Sequence, residues 1–464
     1  MEKKEIDNLS AYNETLKPVE FKDRSIKPLG LGVIWFGIVV QLTGFAVFSA
    51  MPNYFTIRQL LYIYLIGSII TALAAIGMQD IGLKHGLCFA KATVASFGEV
   101  GSKLPSFIRA FPSVIFFGTN AYVSSQALNE LFKMIFNFDS IKLALSINII
   151  LLVLLTMMGL KGIERFTKLV APLLLVIGFY LAYILHDSYK VPISELMNMG
   201  GHNAGAKGWL YGISVAIGIF IMCSMGNNDY TRDCIVNPSK NKWWEMNKSY
   251  SIATLIGVVP FLTFFCLLGN CAVVLSGRTD VIVVFSELLM EKSKILAIIV
   301  DLFIVVAQFS TNTSANLMPS AYVACDFIPK LKFKAGIVLV AVLAVICQPW
   351  SYYDYFDFVL NLFTVFTGPA MAIMLIDYFI FRKRCYDISA LYVKRGKYYY
   401  WKGINIVAVF VYIASGLIAY IIDFDNSFFI ATPIAALSYY FIAKLFSKKM
   451  PIMVSEINNN NNIK

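Results

Sequence analysis

Residues 308–316, Gln-Phe-Ser-Thr-Asn-Thr-Ser-Ala-Asn, place seven polar side chains in nine positions, none of them charged. They lie within a stretch from Ile295 to Ala324 that is otherwise apolar and long enough to cross a bilayer. At about 100° per residue, Gln308, Thr311, Asn312, Ala315 and Asn316 share a helix face roughly 140° wide. Amides and hydroxyls in hydrocarbon are costly unless they are paired or face a wet cavity. The chemistry open to such a face is binding. It either lines a ligand site or fastens helices together, because Ser, Thr and Asn also act as interhelical glue. So many amides and hydroxyls in one run favour the site.

The other polar residues at mid-membrane depth are Gln41, Thr43, Asn120, Ser124, Ser125 and Gln126, again all neutral. Asp229, Asp326 and Asp377 fall at the inner ends of apolar runs and Asp301 near an outer end, so no counter-charge is expected beside the ligand. Amides both donate and accept, which suits a neutral planar ring with alternating N–H and C=O groups. Phe116 stands one turn from Asn120, a stacking face beside a hydrogen-bonding edge, and Phe220 offers a second ring. With 37 Phe in the chain, ordinary packing is the competing account of both. A proton relay needs a titrating group in the membrane, and none is evident at the site. A hard cation needs oxygens, which Ser310, Thr311 and unwound carbonyls could supply. Sodium is therefore the expected coupling ion, with a proton as the alternative and no other cofactor.

The elements that must position these groups are membrane helices. Hydrophobic residues make up 58% of 464, charged residues 14%, and mean hydropathy is +0.69, far from a soluble composition. Twelve spans are expected: 30–50, 57–78, 105–131, 141–160, 166–185, 208–227, 250–275, 294–324, 335–348, 356–381, 403–422 and 427–446. With the N-terminus inside and Arg109 counted in the loop before the third span, 31 of the 39 Lys and Arg fall on the inner side. That asymmetry places both termini in the cytoplasm and accounts for the net charge of +11 without a nucleic-acid partner. Eight Cys without a CxxC, and three scattered His, form no disulfide or zinc pattern. No HExxH, GxSxG or Walker motif supports an enzyme.

Glycines at 37 and 44, and at 212 and 218, mark the first and sixth spans as interrupted helices. Breaks at matching places point to inverted repeats. The expected division is a tail (1–27), two five-helix repeats (28–200 and 201–384), two appended helices (385–450) and a disordered tail (451–464). Asp229 and Arg232 close the sixth span at i, i+3, as a solvated ion pair or a functional helix end. Gly368-Pro369 gives the tenth span a place to bend.

Asp229-Tyr230-Thr231-Arg232, Thr311-Asn312-Thr313-Ser314-Ala315-Asn316, and Gly368-Pro369 followed by Asp377-Tyr378 and Arg382-Lys383-Arg384 resemble the nucleobase–cation symporter family. The likeness runs from about Gly30 to Arg384. It implies an all-α fold of five plus five inverted helices with two appended, as in sodium-coupled amino-acid symporters. It also implies that Phe116 and Phe220 stack the substrate while Gln41, Asn120 and Asn316 hydrogen-bond it. Sodium would then sit among the carbonyls of Gly37, Val40 and Ala307 and the hydroxyls of Ser310 and Thr311. Family members usually have Trp where Phe116 stands, and hydantoin-type members have a longer amide at Asn120 and Trp at Phe220. The expected cargo is therefore a cytosine-, uracil-, purine- or allantoin-like heterocycle, and hydantoin is disfavoured. The partners expected are this small molecule and the lipid bilayer, with no protein partner. An amino-acid or vitamin symporter of the same fold, a channel, or a non-transporting sensor are the alternatives.

Overall fold

Lipid offers no partner to backbone N–H and C=O groups, so apolar runs of this length must satisfy them internally. Helices accordingly dominate, and among the described residues only three isolated β-bridges occur. The computed structural model describes residues 13–40 and 48–446, apart from the side chains at 219, 304, 353–357, 359 and 360. Gln41, Thr43, Gly44 and the tail 451–464 lie outside the described residues.

The main helices are α1 (Pro28–Val39), α2 (Ile57–His85), α3 (Phe89–Phe97), α4 (Lys103–Phe136), α5 (Ile141–Met157), α6 (Gly159–Tyr189), α7 (Trp209–Met225) and α8 (Trp243–Ser276). They continue as α9 (Val281–Lys292), α10 (Lys294–Thr311), α11 (Met318–Phe327), α12 (Phe333–Cys347), α13 (Phe356–Leu375), α14 (Ile406–Ile422) and α15 (Ser427–Phe446). Local chemistry sets several ends. Thr56 and Gln59 form a reciprocal capping box before α2, and Gly86 stops it in the left-handed conformation. Pro28 opens α1, where its missing N–H is no loss.

By length and composition, six helical units can cross a bilayer: Ile57–His85, Gly159–Tyr189, Trp243–Ser276, Lys294–Phe327, Asn361–Phe381 and Ser427–Phe446. α4 and α5 meet that standard together, across a bend of 117°. Pro28–Val39, Trp209–Gly218, Phe333–Cys347 and Ile406–Ile422 are shorter apolar helices. α3 and α9 were not among the expected spans. α3 is buried along its whole length, and at nine residues it is too short to register as a span.

α2 packs against α7 and α8, and α8 against α1. α10 and α11 pack on α4, while α14 and α15 stack on α13. The outer surface carries apolar side chains such as Leu169 and Ile421, 75% and 80% exposed, as a lipid-facing surface should. The interior holds fully buried polar groups, among them Gln79, Asp80, Asn120, Asn247 and Asn270.

Two expected interruptions are absent. α7 runs unbroken through Gly212 and Gly218, and the chain leaves the helix only at Gly226-Asn227. The first of these glycines serves packing, since a Cβ at Gly212 would lie 2.7 Å from Ile63. α13 likewise continues through Pro369 into a π-helical turn, Ile376–Phe381, and Gly368 sits against Thr432 of α15.

One end of the bundle, rich in Lys and Arg, is closed by ion pairs. Arg384 grips Asp80 through two hydrogen bonds of 2.8 and 2.9 Å, and Tyr378 donates to the same carboxylate at 2.8 Å. Arg382 pairs with Asp377 at 2.6 Å with both side chains wholly buried, and Ser96 of α3 donates to Asp377. Asp326 is held by Lys91 at 2.9 Å and by Lys103. The segment 13–27 crosses this basic face. Arg232 donates to the Lys17 carbonyl (2.6 Å), Tyr392 to the Leu16 carbonyl (2.7 Å), and Asn13 to the Leu331 carbonyl.

Candidate functional site

The site begins where α1 stops. Val40 leaves the helical region with φ −85° and ψ 85°, and α1 approaches α10 and α6 closely at Gly37. A Cβ at Gly37 would lie 2.8 Å from Thr167 Cγ2 and 3.1 Å from the Ser310 side chain. Only glycine fits between those neighbours without displacing them.

Against this helix end stands Thr311, the last residue of α10. From Asn312 to Leu317 the chain forms a π-helical turn before resuming as α11. Such turns alter the side-chain phase and frequently occur at functional sites. Thr311 Oγ1 donates to the carbonyls of Gly37 and Val40, the latter at 3.1 Å. Ser310 Oγ donates to the Ala307 carbonyl at 2.9 Å and reaches the Gly37 carbonyl at 3.5 Å. The five atoms proposed from sequence as cation ligands are thus joined by mutual hydrogen bonds. Three carbonyls and two hydroxyls make a hard, uncharged oxygen set that fits a small alkali cation. A cation among them would receive oxygen lone pairs once the two hydroxyl hydrogens had turned away.

Beside this cluster lies a cavity of about 10 Å³, room for roughly one water molecule. Its walls include Arg109, Ser113, Phe116, Phe220, Thr311 and Asn316. Thr311 therefore belongs to the cavity and to the oxygen cluster at once. Asn316 Nδ2 donates to Asn312 Oδ1 at 2.9 Å, and Asn312 Nδ2 donates to the Phe117 carbonyl of α4 at 3.1 Å. The polar run is thus divided: Asn312 ties helices together, and Asn316 faces the cavity.

The remaining sequence candidates divide. Gln41 lies outside the described residues. Asn120 is fully buried one turn beyond Phe116, is not among the residues lining the cavity, and neither of its amide atoms finds a hydrogen-bond partner among the described residues. Gln308 is in the same condition. Ser125 belongs to a helix joint, where Asn148 of α5 donates to its hydroxyl (3.1 Å) and to the Ala121 carbonyl (2.8 Å). Gln126 is exposed.

The main omission from the sequence reading is Arg109. Counted as a loop residue, it is fully buried on α4 and lines the cavity, so the expectation of a site without charge is wrong. The signal was there to find. Arg109, Ser113, Phe116 and Asn120 fall at i, i+4, i+7 and i+11, one stripe of a helix.

Asp229 and Arg232 form neither a solvated pair nor an ion pair with each other. Residues 227–232 instead bind separate elements. Asn227 donates to the Ala75 carbonyl (2.7 Å) and Asn228 to the Leu87 carbonyl (3.0 Å). Asp229 accepts the Phe89 N–H (2.7 Å), Tyr230 donates to the Ser314 carbonyl (3.2 Å), and Thr231 to the Gln79 carbonyl (2.9 Å). The break after α7 is therefore filled by a junction that joins α2, α3 and the π-helical turn.

Comparison with known proteins bears on the family and the fold. The hydantoin permease of Microbacterium maritypicum is 29% identical over 97% of this chain and 92% of its own length. The structure of Mhp1, a nucleobase-cation-symport-1 family transporter in a closed conformation with bromovinylhydantoin bound, superimposes with a TM-score of 0.91 at 28% identity, covering 96% of this chain and 98% of that one. A Na+-coupled sialic acid symporter, at 14% identity and a TM-score of 0.63 over 96% of this chain and 95% of its own, shares the fold alone. The profile of the permeases for cytosine/purines, uracil, thiamine and allantoin matches residues 18–443, and the chain is a multi-pass membrane transporter belonging to that family.

Proposed function

We propose that this chain is a secondary transporter of the cytoplasmic membrane that moves a nucleobase or related N-heterocycle inward together with sodium. In this reading the twelve apolar segments are twelve spans with both termini in the cytoplasm. Residues 28–200 and 201–384 are the inverted repeats, 385–450 the appended pair, and 1–27 and 451–464 the tails. The observation that carries the proposal is the double membership of Thr311. Its hydroxyl meets the Gly37 and Val40 carbonyls in the oxygen cluster, and the same residue lines the cavity beside Phe116 and Asn316.

That geometry supports coupling without a charged relay. A sodium ion held by Gly37, Val40, Ala307, Ser310 and Thr311 would pin the end of α1 to α10 and so shape the adjoining wall. Phe116 and Phe220 present ring faces to a planar ligand, and Asn316, with Asn120 and Gln41 as further candidates, supplies donors and acceptors for its edge. The cavity is smaller than any nucleobase, so loading requires its walls to part, as alternating access demands.

The test is uptake into vesicles containing the full-length protein, with unlabelled nucleobases, hydantoin and allantoin competing against labelled uracil and labelled hydantoin in parallel. An imposed sodium gradient should drive uptake, and a proton uncoupler should leave it intact. Uptake indifferent to sodium and abolished by the uncoupler would rule out the sodium assignment. Exclusion of every heterocycle, with amino acids competing instead, would rule out the cargo.

A further inference from the structure

Arg109 is a guanidinium placed at the cavity wall with part of its hydrogen-bonding capacity unused. Its Nη1 donates to Ser113 Oγ at 2.8 Å and reaches the Ala315 carbonyl at 3.5 Å. Its Nε and Nη2 have no hydrogen-bond partner among the described residues, although the side chain is fully buried. Nor does it form a direct ion pair with any carboxylate among them. Asp229, on the neighbouring junction, accepts the Phe89 N–H through Oδ1 and acts on Arg109 as a nearby charge, and Tyr230 borders the same guanidinium. The space is kept for this group: a Cβ at Gly226 would lie 2.6 Å from Arg109 Nε. Leaving charged donors unpaired away from water is costly, so an acceptor that arrives with a ligand would be bound strongly here.

Arginine has five N–H donors in a planar fork and no acceptor. Phe116 stands two turns along the same helix, about 10 Å away along the axis. A ring stacked on Phe116 would have one edge pointing down the stripe toward Arg109. We propose that Arg109 is a substrate-recognition residue that selects heterocycles presenting oxo groups beside an acidic ring N–H, and discriminates against rings bearing an amino group at that edge. An oxo oxygen, or the anion of the imide, accepts from the fork in a charge-assisted bond. An amino substituent directs its own N–H groups at those of the guanidinium, and leaves both sets unpaired. This inference rests on the cavity being the substrate site, and it decides among the cargo classes that the neutral amides alone leave open.

The experiment uses the purified full-length protein in detergent with sodium, and reads the rise in melting temperature as each compound is titrated. Three matched pairs serve: uracil and cytosine, xanthine and 2,6-diaminopurine, hydantoin and 2-iminohydantoin. Within whichever ring type stabilises the protein, the oxo member should half-saturate at a concentration about ten- to a hundredfold lower, the value of one charge-assisted hydrogen bond. Arg109→Gln should erase that preference, and Arg109→Lys, which keeps the charge and loses the fork, should reduce it to a few-fold. Equal or better binding of the amino member to the unaltered protein overturns the proposal, even if both variants fail to fold. A preference that survives undiminished in either variant overturns it as well. Failure of all six compounds to stabilise the unaltered protein rejects the reading of the cavity as a heterocycle site, and this proposal with it.

Discussion

Two polar regions lie buried in this protein, and they are built on opposite terms. On the basic face Asp80, Asp377 and Asp326 each meet at least two donors, and the bonds tie α2, α3, α8, α11 and the end of α13 together. Around the cavity the groups are mostly uncharged, yet Asn120, Gln308 and two nitrogens of Arg109 are left without partners. A paired charge in the interior is architecture, because removing either member strands the other. An unpaired donor in the interior is a cost that an arriving acceptor can relieve. Unpaired atoms occur in both regions, at Arg232 Nε and Nη1 as well as at Arg109, so what separates them is the pairing of charges: Asp80, Asp377 and Asp326 each meet a cation directly, and Arg109 meets no carboxylate directly among the described residues.

The contrast can be tested from both ends. The largest effect is expected from Asp377→Ala, which leaves Arg382 buried without its carboxylate and should cost about 3–5 kcal/mol of stability. A lowered melting temperature and reduced membrane abundance would register it, with ligand affinity little changed in the protein that still folds. Asn316→Ala should do the reverse, cutting uptake about a hundredfold while the melting temperature and abundance hold, the weight of about two lost hydrogen bonds to a ligand. If the two variants swapped phenotypes, the distinction between the regions would fail. Thr311→Ala should raise the sodium concentration for half-maximal uptake about tenfold, the weight of a lost hydrogen-bond-scale ligand. Substrate recognition at saturating sodium should remain. The smallest effect belongs to Asn312→Ala, which loses the bond to the Phe117 carbonyl and the one accepted from Asn316, and should cost about 1–2 kcal/mol of stability. A larger loss of uptake than of stability there would move Asn312 from joint to site.

Much of this was legible in the chain. Hydropathy outlined the apolar segments, and the last, 427–446, coincides with α15. Of the oxygen cluster, the hydroxyls at 310 and 311 were read from residue type beside an interrupted first span, whereas the carbonyls of Gly37, Val40 and Ala307 came only with the family resemblance; α1 ends at Val39. What stayed hidden has physical causes. A charge count treats Lys and Arg as flanks of the membrane, so Arg109 was assigned to a loop, although its spacing from Ser113, Phe116 and Asn120 marked it as part of a buried face. Glycine permits an unwound turn and equally permits close packing, and at Gly212 the neighbour Ile63 decides for packing. The bonds made by residues 227–232 reach partners more than 80 positions away, beyond any local pattern. The π-helical turn leaves no compositional trace at all.

That turn acts as a phase setter. A helix with one surplus residue carries everything beyond it rotated by about 100° relative to everything before. Thr311, upstream, points at the end of α1, while Asp326, downstream, points at Lys91 and Lys103. Excising a single residue from 312–317 would let the helix run regular, and could then keep one of those two appointments but not both.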